Sequence, residues 1–115
     1  MTRPAAAALA LASLAGCGDP VEDLDLNGQT VEAVVERYGA PDDDARLVFR
    51  KGERPYEFQS GAYAAVMDGV AEGDTLAVRQ LVWDGWVWDR AVWAAERDGA
   101  WRVVDAIRWP VWVRF

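Results

Sequence analysis

The chain has 115 residues, a formal net charge of −7, no histidine and a single cysteine. That acidity argues against nucleic acid and against electrostatic adhesion to anionic headgroups. Without histidine, and with a lone cysteine, Ser/His/Asp, Cys/His and zinc-type constellations are excluded, as is an intrachain disulfide.

After Arg3, an apolar run from Ala5 to Leu14 is broken only by Ser13. It is shorter than the ~20 residues a membrane-spanning helix needs and has the length of a signal-peptide core. It ends in Leu14-Ala15-Gly16-Cys17, a stretch that resembles the lipobox of bacterial lipoproteins. The resemblance implies a diacylglycerol on the Cys17 sulfur, cleavage of the preceding bond and acylation of the new amine. Several chains are needed, because one alone gives only marginal attachment. The expected division is a lipoprotein signal peptide at 1–16, a lipidated tether at 17–27 and one domain at 28–115. The implied location is the bacterial cell envelope, facing the periplasm. Gly18, where aspartate would signal inner-membrane retention, favours the outer membrane.

Asn27-Gly28 marks a turn, and Thr30 is placed to cap a helix. Val31, Val34, Val35 and Tyr38 then recur at helical spacing, Gly39 stands at the C-cap position and Pro41 prevents continuation. The pattern predicts a helix over 31–38. Asp42-Asp43-Asp44 reads as an acidic loop, since it lacks the spaced ligands and turn glycine of a calcium site. No cofactor or metal is expected. Leu47 and Phe49 alternate with polar residues, as do Tyr56 and Phe58 after the turn at Lys51-Gly52-Glu53, which predicts a short hairpin. Ala62 to Met67 suggests a second short helix over 62–68.

Asp84-Gly85 and Asp98-Gly99 are both dipeptides of type I′ hairpin turns. They divide residues 75–109 into three antiparallel strands, with Val111–Phe115 as a continuation. The predicted fold class is α+β: one or two N-terminal helices packed on an antiparallel β-meander. Two-residue turns set Trp83 opposite Trp86, Leu81 opposite Trp88, Ala94 opposite Val103, Val92 opposite Asp105 and Trp88 opposite Trp109. One face then carries Trp83, Trp86, Trp88, Trp101, Ile107 and Trp109, and is expected to be the core under the 31–38 helix. The other, mixed face carries Ala91, Trp93, Ala106 and Arg108. Arg79, Arg90 and Asp105 fall on the core face, where an Arg90–Asp105 pair with an arginine over a tryptophan ring is expected.

Seven tryptophans are many for so short a chain. Most suit a core built without disulfides. Trp83 and Trp86, beside a turn, and Trp93 and Trp112, on the mixed face, are instead candidates for a binding surface.

Asn27-Gly28-x-Thr30 followed by Tyr38-Gly39-x-Pro41 resembles the opening of small SmpA/OmlA-type envelope lipoproteins, over residues 27–41. That resemblance implies helices on an antiparallel sheet and a non-enzymatic scaffold role in outer-membrane β-barrel assembly. The leading expectation is a lipid-anchored, non-catalytic envelope protein that binds another envelope protein as adaptor, assembly factor or inhibitor. The alternative is a carbohydrate- or peptidoglycan-binding module stacking sugars on exposed tryptophans, with Asp84 and Asp89 fixing them. A two-carboxylate hydrolase would draw on Asp84, Asp89, Glu57 and Asp105, but no spacing selects a pair.

Overall fold

The computed structural model describes residues 25–113. The lipobox, Cys17, most of the expected tether, Arg114 and Phe115 lie outside the described residues.

Helix α1, Val31–Tyr38, forms as its sequence predicts. The Thr30 hydroxyl accepts from the Ala33 N–H, and Gly39, at φ 87°, donates its N–H to the Val35 carbonyl. Strand β1 spans Asp43–Arg50. A 3-10 turn at Glu57–Gln59 leads into helix α2, Ser60–Met67. Strands β2 (Thr75–Trp83), β3 (Trp88–Arg97) and β4 (Ala100–Pro110) complete a four-stranded antiparallel sheet of order β1-β2-β3-β4.

The fold class is α+β, but only α1 precedes the sheet, because α2 lies between β1 and β2. The hairpin expected between residues 46–50 and 56–58 does not form. β1 pairs with β2 instead, and Tyr56 is the extended residue that caps the 3-10 turn. Three alternating residues fit a strand or a turn equally well. Burial decides, since Phe58 packs its ring 5.7 Å from Trp93 and 6.5 Å from Trp109. Lys51 Nζ then donates to the Met67 carbonyl at 2.6 Å, placing a cation at the C-terminal end of α2.

The sheet is covered on both faces, which corrects the expectation of one core face and one mixed face. Under α1, Val31 and Val34 pack with Leu81, Trp83, Val92 and Val103. Leu26, assigned to the tether by sequence, is buried in that same cluster. Under α2, Ala62, Val66 and Met67 pack with Phe49, Val78 and Trp93. Ala91 to Ala95 of β3 are therefore all buried. A strand covered on both sides loses its polar alternation.

The β3–β4 register holds from Asp98-Gly99 to Ala94↔Val103 and then slips by one residue. Both turn residues have the positive φ of a type I′ turn, 53° for Asp98 and 80° for Gly99. Next, however, Trp93 faces Asp105, so Val104 is an extra residue, a β-bulge. Beyond it every side chain changes face, because strand side chains alternate. Ile107 and Trp109 turn toward α2, and Ala106 turns toward α1. The expected opposition of Val92 to Asp105 and Trp88 to Trp109 becomes Val92↔Ala106 and Trp88↔Pro110.

The bulge also separates the expected polar cluster of Arg79, Arg90 and Asp105. Asp105 moves to the α2 face, where a Cβ on Gly61 would lie 2.5 Å from its carboxylate. Arg90 lies over the Tyr38 ring at 4.1 Å. The expected chemistry appears with another acid: Arg79 Nη2 meets Asp44 Oδ2 at 2.7 Å while its guanidinium lies 5.7 Å from the Trp101 ring centre.

Burial pushes the Asp105 carboxyl above its ordinary value, and a hydrogen bond from the Ala106 backbone offsets part of that rise. The folded state thus holds this proton more tightly than the unfolded chain. The group's contribution is fully present below the unfolded pKa and is lost as pH rises through the folded pKa. Charged Asp105 therefore destabilises the domain at neutral pH. Asp105→Asn is expected to raise the urea midpoint at pH 7 and to remove the loss of stability that this group causes as pH rises through the acidic range. Urea titrations at several pH values check both.

Candidate functional site: an exposed aromatic tip

The loop between β2 and β3 and the turn after β4 meet at one end of the sheet. The Val111 N–H donates to the Val87 carbonyl at 2.9 Å, and the Val113 N–H closes the turn on the Pro110 carbonyl at 2.9 Å. Together they present Trp86, 96% exposed, Trp112, 78% exposed, and the exposed Val87. Apolar groups this large are seldom left in water as a contiguous patch unless something covers them.

The loop is held in that shape by two carboxylates, one distant in the chain and one local. Asp42 Oδ2 accepts the Asp84 N–H at 2.7 Å, and Asp89 Oδ1 accepts the Gly85 N–H at 3.2 Å. Neither Asp84 nor Gly85 has the positive φ of a type I′ turn, so the expected two-residue turn is replaced by a wider loop. Gly85 sits where a Cβ would collide with the Trp88 carbonyl oxygen, so only glycine fits. Trp83 faces Arg90 rather than Trp86, and Leu81 faces Val92 rather than Trp88. The displacement is an even number of residues, so the strand faces survive it. Trp86 is left beyond the ladder, with no sheet to pack on.

Beneath the tip the structure is anchored. Trp83 is 8% exposed, donates its Nε1–H to the Gly39 carbonyl at 2.9 Å and lies 6.0 Å from the Tyr38 ring. Arg108 covers the half-buried Trp88 at 4.6 Å. Trp93 is fully buried and donates its Nε1–H to Gln80 Oε1 at 2.8 Å, an oxygen that also accepts from Gln59 Nε2 at 2.9 Å. Trp83 and Trp93 are therefore core residues and are withdrawn as binding candidates. Trp83 was misplaced by the turn type. Trp93 was misplaced because α2 covers the face expected to be mixed. Trp86 and Trp112 are brought together, and Val87, which sequence reasoning did not single out, joins them. The signal for it was present: Trp-Val-Trp directly after Gly85 holds more apolar surface than a turn can bury.

The four carboxylates considered for hydrolysis fall in two places. Asp84 belongs to the tip loop, and Asp89, at the start of β3, is engaged in holding it. Asp105 lies beside Gly61 of α2, and Glu57 is exposed in the 3-10 turn. Comparison with protein-family models, curated proteins and solved structures returns no match. The fold and tip thus define a small α+β domain, its sheet covered on both faces, with an exposed aromatic projection on a hydrogen-bonded loop.

Proposed function

We propose that the chain is a lipid-anchored, non-catalytic protein of the bacterial cell envelope that binds another envelope protein through Trp86, Val87 and Trp112. The observation that carries this reading is the exposure of those three residues on a loop braced by Asp42 and Asp89. Aromatic anchors concentrate binding energy, and a loop backbone held before docking loses little main-chain freedom when it binds. The Leu14-Ala15-Gly16-Cys17 motif supports attachment through lipid on Cys17, and the β-barrel-assembly resemblance at residues 27–41 supports an outer-membrane adaptor, assembly-factor or inhibitor role. No helix among the described residues is long and apolar enough to cross a membrane.

A second reading, glycan or peptidoglycan binding, draws on Trp86 and Trp112 with Asp84 close by in the loop. The exposed Val87 next to Trp86 favours a protein, because a sugar site needs polar groups beside its rings and Val87 supplies none. Intrinsic fluorescence separates the two readings: a shift with muropeptides supports the glycan reading, and their failure to shift it removes that reading.

Anchoring has its own test. Each buried methylene of an acyl chain contributes about 0.8 kcal/mol, so losing all chains is decisive. Cys17→Ser is expected to abolish incorporation of a palmitate analogue and to move the protein from the membrane to the soluble fraction. Unchanged labelling and fractionation overturn the lipid anchor.

A further inference from the structure

A second surface lies along β1, at the end away from the aromatic tip. β1 is a terminal strand, and among the described residues no strand pairs with its outer side. The other terminal strand is treated differently. On β4, the Gly28 N–H donates to the Val103 carbonyl at 2.8 Å, the Val103 N–H donates to the Gln29 carbonyl at 2.9 Å, and Arg102 Nη1 reaches the Gly28 carbonyl at 3.0 Å. The Lys51 N–H, bonded to the Asp74 carbonyl at 2.9 Å, sets the phase of the β1–β2 ladder. Antiparallel alternation then directs the backbone groups of Leu47 and Phe49 toward β2, and those of Arg46 and Val48 outward.

A cleft of about 490 Å³ runs along this edge, with Leu47, Val48 and Phe49 on one side and Arg54, Pro55 and Tyr56 across it. Val48 and Tyr56 are 66% and 76% exposed there. The local charge is opposite to that of the chain. Arg46, Arg50, Lys51 and Arg54 fall within nine positions that hold one acid, Glu53, in a protein of net charge −7. Arg50 and Arg54 line the cleft itself. Arg54 has no hydrogen-bond or ion-pair partner among the described residues.

We infer that this edge takes up an extended segment of a partner protein, added as a fifth strand, in which acidic and apolar residues alternate. β1 dictates the alternation. It presents Arg46, Val48 and Arg50 on one face and Leu47 and Phe49 on the other. A strand paired to it sets its own alternate side chains against these two rows. Carboxylates meet Arg46, whose guanidinium lies 5.1 Å from the Trp101 ring centre, and Arg50, which also donates to the Gly73 carbonyl at 2.8 Å and lies 3.9 Å from Glu53, while apolar side chains enter the cleft beside Leu47, Phe49 and Tyr56. A second copy paired about Val48 sets Arg46 against Arg50, and opposed like charges destabilise such a pairing. The inference is independent of the tip.

The test is fluorescence anisotropy on the full chain in detergent micelles, with a labelled peptide alternating Asp and Val. The comparators are a Lys/Val peptide and an Asp/Val peptide N-methylated on alternate amides. Two cross-strand ion pairs predict that the Asp/Val peptide binds about tenfold more tightly than the Lys/Val peptide. N-methylation abolishes binding, and Arg54→Glu weakens it several-fold. Four results each overturn the proposal: no binding by the Asp/Val peptide, equal binding by the Lys/Val peptide, full binding by the N-methylated peptide, or a dimer in sedimentation that excludes the peptide.

Discussion

Trp93→Ala is expected to remove most of the stability of the domain. The ring is fully buried, packs against Phe58 at 5.7 Å and fills the centre of the core under α2. Truncating a buried tryptophan costs about 3–5 kcal/mol, because the surrounding side chains collapse only partly into the space. Domains of this size have only about 5–15 kcal/mol in total, and those without disulfides have few other reserves. A polar term adds to the loss: Gln80 Oε1 keeps only its bond from Gln59 once the indole N–H is gone. Trp93→Phe separates the two contributions. It retains most of the packing and removes the donor, at a cost of about 1–2 kcal/mol. Urea unfolding followed by circular dichroism reads both variants. A midpoint for Trp93→Ala equal to that of the parent contradicts a core role for this residue and the two-sided burial of β3.

Trp86→Ala and Trp112→Ala are expected to do the reverse. Both rings project into solvent and pack on little, so each substitution changes stability by about 0.5 kcal/mol or less. As anchors of an interface they carry far more. Truncating such a residue costs about 2 kcal/mol or more of binding, roughly thirtyfold in affinity. Folding is preserved while association is lost, a combination that no core tryptophan can give. Co-purification from gently solubilised membranes, with the urea midpoint measured on the same samples, reads both quantities.

The contrast between these residues marks where local information ends. Helix α1 is legible because its determinants are neighbours: Thr30 caps, four apolar residues share one face, and Gly39 and Pro41 stop it. Asp98-Gly99 is legible for the same reason, since two positive φ values make the turn. Asp84-Gly85 carries the same dipeptide and behaves differently, because Asp42, far away in the chain, captures the Asp84 N–H. The bulge at Val104 has no glycine or proline to announce it, yet it decides which helix Asp105, Ile107 and Trp109 face. The position of α2 was readable within a few residues from the period of Ala62, Val66 and Met67. Its place over the second face of the sheet was not. One cue for that place does stand in the sequence: Ala91-Val92-Trp93-Ala94-Ala95 is the unbroken apolar run of a strand buried on both sides. Read that way, it puts Trp93 inside and leaves Trp83, Trp86 and Trp112 as the platform candidates.

The most direct measurement of the docking role is site-specific photocrosslinking in intact cells, with a benzophenone side chain placed at position 86, 112 or 96. Glu96 is exposed at the far end of β3 and serves as the reference position. The expected result is one crosslinked protein of defined mass from positions 86 and 112, absent from position 96 and lost with Cys17→Ser. No crosslink from either tip position, or the same products from all three, contradicts the tip as a docking surface.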